Sequence, residues 1–147
     1  MVRSLAVCDL RDWHAGGKAR DEFVTAMGNA LKDIGFFALT GHGIPADAID
    51  QAYQTSGDFF HLDQAVKQRY ERADIFRQRG YTPYGVEHAK DNPEPDLKEF
   101  WQTGRSLPRR HDGTADGLEN FWPTADVPDF EANIDGLYQA MERMSLE

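Results

Sequence analysis

The sequence predicts an α+β domain in which amphipathic helices alternate with short strands. Apolar residues recur at helical spacing over residues 18–34 and again over 130–144. Two short apolar runs, Leu5 to Leu10 and Phe36 to Leu39, are bounded by Asp, Gly or Thr and read as strands. Over Arg79 to Glu87 (RGYTPYGVE), aromatics are separated by Gly and Pro, which favours a strand or bulged ribbon over a helix.

Leu5 to Leu10 is the opening strand, closed by Asp9 and Asp12. From Lys18 to Ile34, the residues Phe23, Met27, Ala30, Leu31 and Ile34 form one stripe and predict a helix buried on that side. Gly35 ends it, because a left-handed cap favours a residue without a Cβ. Phe36 to Leu39 follows as a buried strand. Pro45, Ala46 and Asp47 suit the first turn of the next helix. That helix carries Ile49, Ala52, Tyr53, Ser56, Phe59 and Phe60 on one side, and Asp63 is placed to cap a shorter helix with Val66 and Tyr70. Residues 104–128 are rich in Gly, Pro and Asp and read as loop. Phe130, Ile134, Leu137, Met141 and Met144 then mark a last amphipathic helix, expected over 129–147 with no capping residue at its end.

The 147 residues are one domain's worth of chain, and 40% hydrophobic with 28% charged residues fits a folded, soluble protein. No apolar run reaches membrane-spanning length, and MVRSLAVCDL turns acidic too soon for a signal peptide. A single cysteine, Cys8, cannot form an internal disulfide. A reducing cytoplasm is therefore expected, with Cys8 a buried, inert thiol. The net charge of −9 is concentrated at the end: residues 111–147 hold 1 basic and 9 acidic side chains. That balance argues against a nucleic acid partner, which needs a cationic face. The basic group Arg69, Arg72, Arg77 and Arg79 is interleaved with Glu71 and Asp74 and reads as a solvated mixed face.

Four motifs occur in order: the opening strand with Asp9-Leu10, DIGFFALTGHGIP (Asp33 to Pro45), FFHLDQAVKQRY (Phe59 to Tyr70), and RGYTPYGVEHAKDNPEPDLKEFW (Arg79 to Trp101). Together they resemble the N-terminal region of the iron(II)/2-oxoglutarate-dependent oxygenases of the isopenicillin N synthase type. The resemblance implies an oxidoreductase whose catalytic part is a double-stranded β-helix, or jelly roll. Iron is held there by a His-x-Asp motif and a distant His, which occupy one face of the metal and leave the other open. An Arg-x-Ser grips the co-substrate carboxylate. In such an enzyme the present residues would form a helical and strand buttress. Gly35, Phe36, Phe37, His42, Gly43 and Pro45 would be structural, with His42 hydrogen-bonded to the backbone. The Arg79–Glu87 ribbon would lie near the substrate entrance. Tyr81 and Tyr84 are then either pocket-wall residues or members of a packed ribbon face.

A formal iron site can be assembled from the sequence: His61-Leu62-Asp63 matches His-x-Asp, His111 follows 48 residues after Asp63, and Arg143-Met144-Ser145 matches Arg-x-Ser. It is rejected on placement. His61 and Asp63 sit at a helix-to-helix junction, and too few strands separate them from His111 to aim three ligands at one point. Arg143 lies on an amphipathic helix. His14 and His88 read as exposed, and Lys98-Glu99 reads as an exposed charge pair. No nucleophile triad, phosphate loop or zinc pattern occurs.

The expectation is therefore the N-terminal part of an iron(II)/2-oxoglutarate oxygenase, not catalytic alone. Iron(II) and 2-oxoglutarate belong to the complete enzyme, and the partner is the missing jelly-roll half or a second copy, met through the apolar face of the last helix. The alternative is a non-catalytic interaction or regulatory module derived from the same fold.

Overall fold

The computed structural model describes residues 4–106, 112 and 117–147. The chain divides into two compact units, residues 1–44 with 146–147, and residues 45–145.

In the first unit, β1 (Val7–Asp9) leads into α1 (Leu10–Ala15), α2 (Gly17–Asp33) and β2 (Ala38–Thr40). The strands pair in parallel, Val7 with Ala38, Cys8 with Leu39 and Asp9 with Thr40. The expected strand to Leu10 is shorter than predicted because Asp9 caps a helix: its carboxylate accepts from the Arg11 backbone N–H at 3.0 Å. Helix α1 is not legible in the sequence; its six residues are too few to show a period. Gly16, at φ 73°, separates it from α2. The end of α2 is as predicted: Gly35 adopts φ 82°, and the N–H groups of Ile34 and Gly35 both reach the Ala30 carbonyl, at 3.0 and 3.2 Å. Cys8, Leu10, Phe23 and Ala30 are buried. Leu31 and Phe36 are exposed, so the predicted stripe and strand are each partly open to solvent, and the strand itself begins only at Ala38.

The second unit contains α3 (Ala46–Phe60), α4 (Gln64–Lys67), 3-10 turns at Gln68–Tyr70 and Ala73–Ile75, β3 (Gly80–Thr82), β4 (Phe100–Gln102) and α5 (Phe130–Ser145). Phe59 is its centre, fully buried and in edge-to-face contact with Phe60, Tyr70, Tyr81, Trp101 and Phe130 at centroid distances of 5.0–6.0 Å. Helices α3 and α5 lie antiparallel: Phe59 packs on Phe130, and one turn back the Asn133 amide donates to the Thr55 hydroxyl at 2.8 Å. Tyr53, expected on the buried side of α3, is exposed, and Thr55 takes that place. Asp63 stands at the start of α4, but only its carbonyl, not its side chain, accepts the turn's N–H groups. The last helix closes at Ser145, two residues short of the predicted range.

Strands β3 and β4 form an antiparallel ribbon that pairs Gly80 with Gln102, Tyr81 with Trp101 and Thr82 with Phe100. Gly80 (φ 85°) is required here, since a Cβ would fall 2.6 Å from the Tyr70 carbonyl.

Candidate functional site

The ribbon is the best-built part of the second unit, because a buried ionic clasp fixes it to α4. Lys67 is an α4 residue whose four-carbon stem runs inward, leaving the side chain 7% exposed. Its ammonium donates to both carboxylate oxygens of Glu99, at 3.0 and 2.9 Å, and to the Phe60 carbonyl at 3.1 Å. Glu99, 12% exposed, also accepts from the Tyr81 hydroxyl at 2.5 Å. Gln64 reaches the same hydroxyl at 3.2 Å. All three ammonium hydrogens thus have acceptors, which offsets the desolvation of the charge. Burial first, and then the adjacent Glu99 carboxylate, pushes the Tyr81 hydroxyl up to about 12.

Tyr81 is fully buried in the aromatic core and Tyr84 is exposed on the turn after β3. Of its two sequence readings, Tyr81 takes the packed one. Glu99 is a correction: the predicted exposed Lys98-Glu99 pair is split by the strand's alternation. Lys98 faces solvent with Glu87 and Asp96, and Glu99 turns inward to Lys67. Sequence reasoning misses Lys67 altogether. Its one signal is an inward helical position soon after Phe60.

Beside α3 an open cavity of about 510 Å³ is lined by Thr55, Asp58, His61, Leu62, Asp126 and Val127, among others. His61 lines it, with its Nδ1 2.6 Å from the Gly57 carbonyl of its own helix. Asp63 is exposed at the junction of α3 and α4. Asp126 is engaged by Arg69, at 3.0 Å, and by the Tyr70 hydroxyl. His111 lies outside the described residues. Among the described residues, no group of three or more His, Cys, Asp or Glu side chains is arranged to hold a metal ion. Among the described residues, His61 and Asp63 therefore belong to no three-ligand group of the kind iron(II) needs. Arg143 and Ser145 lie on α5.

In the first unit, the His42 Nδ1 accepts from the Ile44 N–H at 3.1 Å, the backbone bond predicted for it. The Gly41–Pro45 turn is built by that contact and by left-handed backbone at Gly41 (φ 65°) and Gly43 (φ 70°). Gly41 abuts the Asp9 carboxylate, which Arg11 holds at about 2 through side-chain and then backbone hydrogen bonds. Phe37 is half-buried and Pro45 exposed. His14 and His88 are exposed, as expected. No helix among the described residues is long and apolar enough to cross a membrane.

A family model described as non-haem dioxygenase in morphine synthesis N-terminal matches residues 5–125. Over 113 residues the chain is 31% identical to a 2-oxoglutarate-dependent dioxygenase of Talaromyces stipitatus, covering 74% of this chain and 35% of that protein. It is 29% identical over 130 residues to one of Didymella fabae, covering 84% of this chain and 39% of the other. A crystal structure of a 2OG-Fe(II) oxygenase family protein from Caulobacter crescentus superposes with TM-score 0.78 and 31% identity, over 98% of this chain and 46% of that one. A full-length Neurospora crassa protein, crystallised in complex with alpha-KG, shares the fold at TM-score 0.75 and 22% identity, over 96% of this chain and 43% of that one. The chain thus spans 35–39% of the length of the two fungal dioxygenases.

Proposed function

The chain belongs to the non-haem dioxygenase N-terminal family and is an N-terminal portion of a 2-oxoglutarate-dependent dioxygenase; from that premise we propose that it acts as the α+β buttress of a jelly-roll catalytic domain and does not catalyse alone. One observation carries the reading. The described residues hold a buried ionic clasp and an aromatic core, yet among them His61 and Asp63, the His-x-Asp match, occupy a helix junction and join no group of three metal-ligating side chains. Iron(II) and 2-oxoglutarate would then be bound by the jelly-roll portion, and oxidation would occur there. The buttress holds the β3–β4 ribbon at the substrate entrance, where the exposed Tyr84 stands ready to form part of a wall.

The partner surface on this reading is apolar. Along α5 the stripe runs from buried Phe130 through half-buried Ile134 and Leu137 to Met141, 50% exposed, and half-buried Met144. Strands β1 and β2 form a two-stranded sheet, a marginal arrangement that favours further pairing. Both features suit docking of the catalytic portion, and in its absence they favour self-association. A buried free thiol at Cys8 accords with a reducing cytoplasm.

The test is an anaerobic titration of the 147-residue chain with iron(II) and 2-oxoglutarate, read by the visible charge-transfer band of the chelated complex. We expect no band from the chain alone. Mixing it with the jelly-roll portion of the Caulobacter crescentus relative should give a band and a stable complex. A saturable band from the chain alone, lost on His61→Ala, would overturn the reading.

A further inference from the structure

Among the arginines of the basic group, three behave as the sequence predicts and one does not. Arg72 grips Asp74 through Nε and Nη2, at 2.8 and 2.6 Å, and Arg77 grips Glu71 through the same pair, at 2.7 and 2.6 Å. In the first unit Arg11 does likewise with Asp9, at 2.9 and 2.5 Å. Arg69 binds Asp126 through Nη2. The Nε and Nη2 hydrogens lie on one edge of the guanidinium and form the fork that matches a carboxylate.

Arg79 is half-buried, and among the described residues nothing fills this fork. Its hydrogen bond there runs from Nη1 to the Gln78 carbonyl at 2.6 Å, and its buried Nε has no partner. Three further buried groups on the ribbon are unpaired among the described residues: the Trp101 indole N–H, the Thr103 hydroxyl and, at the alternate strand position, the Thr82 hydroxyl. The register that pairs Gly80 with Gln102, continued one step, sets Arg79 across from Thr103, on the face that carries Tyr81 and Trp101. Buried donors left without acceptors are costly, more so when charged, so three on one ribbon face call for an acceptor.

The guanidinium packs against Gly104. A Cβ on Gly104 would strike the Arg79 guanidinium and fall 2.7 Å from its Nε. Gly104 is not held to glycine by a left-handed backbone; a side chain there would displace the guanidinium. Asn120 fixes that glycine with two hydrogen bonds, accepting from its N–H at 2.9 Å and donating to its carbonyl at 2.7 Å. The guanidinium thus lies on a backbone platform that is itself braced.

We propose that Arg79, with Trp101 and Thr103, forms a receiver for a carboxylate group at the end of the β3–β4 ribbon. The carboxylate accepts from the Arg79 fork, and the indole N–H and the threonine hydroxyl complete its coordination. A free small carboxylate and an acidic side chain of another polypeptide segment offer the same chemistry. The site stands on this chain's own geometry and does not depend on the buttress reading.

The experiment follows the Trp101 indole and Arg79 Nε–H signals by proton–nitrogen NMR, with the indole assigned through Trp101→Phe. Succinate is titrated into the 147-residue chain, and N-acetylglutamate amide, which carries one side-chain carboxylate, in a parallel series. Saturable shifts of both signals are expected, weakened about tenfold or more by Arg79→Gln and by Gly104→Ala, which fills the platform. Tighter binding of succinate identifies a free dicarboxylate as the ligand class, and equal or tighter binding of the glutamate amide identifies a protein side chain. If neither compound shifts the two signals of the unaltered chain, the receiver does not exist. If Gly104→Ala folds and binds as the unaltered chain does, the platform has been assigned wrongly and the proposal fails.

Discussion

Lys67 Nζ and Glu99 Oε2 lie 2.9 Å apart, joining α4 to the start of β4 across 32 residues of chain in a nearly dry environment. Among the described residues neither charge has another full counter-ion, so each makes the other's burial tolerable. Removing one partner leaves an uncompensated buried charge, whereas removing both leaves none. Lys67→Met and Glu99→Gln should each lower stability by about 3–5 kcal/mol. The double substitution should cost clearly less than the sum. Urea unfolding of the four proteins measures the coupling, and strict additivity would show that the pair is not a unit.

The Tyr81 hydroxyl gives the clasp an alkaline limit. Its folded value, about 12, lies above the value near 10 of an unfolded tyrosine. The folded state therefore holds this proton more tightly. The stabilisation is fully present below about pH 10 and is lost as pH rises towards 12, by up to about 3 kcal/mol. Tyr81→Phe should be less stable at neutral pH through the lost hydrogen bond, yet flatter between about pH 10 and 12. Denaturation midpoints across that window check it, and parallel slopes for both proteins would refute the assignment.

Phe59 anchors the second unit, and its removal should leave a cavity between five aromatic rings. Phe59→Ala should destabilise by about 3–5 kcal/mol. Met141→Ala, on the open half of the α5 stripe, should change the stability of this chain by less than about 0.5 kcal/mol. Thermal melts of the two variants would separate a core position from a position kept apolar for a partner.

Gly41 follows β2 with φ 65°, and a Cβ there would meet the Asp9 carboxylate and lie 3.1 Å from Arg11 Cγ. Gly41→Ala should therefore strain the backbone, at a cost of about 1–3 kcal/mol, and displace the α1 cap as well. The Asp9 carboxyl, held at about 2 by Arg11, should move back towards an ordinary aspartate value in the variant. Carbon-detected NMR titration of that carboxyl reads the cap directly, and an unchanged titration would mean the contact is accommodated.

The amino-acid sequence by itself determined the family and most of the element order. Gly35, the Gly-His-Gly turn and the 4-3-4-3 spacing of the last helix are local signals, readable because backbone sterics and helical period act over a few residues. The short helix α1 escapes, since six residues carry too little period, and periodicity places Phe36 and Tyr53 inside although they are exposed. An apolar pattern marks a side but not whether a neighbour covers it. The tertiary structure alone decided the pairing of Lys67 with Glu99, the inward turn of Tyr81, and the open fork of Arg79 on Gly104. Each depends on segments distant along the chain meeting in one register, and the energy of a buried charge is set by what it meets there.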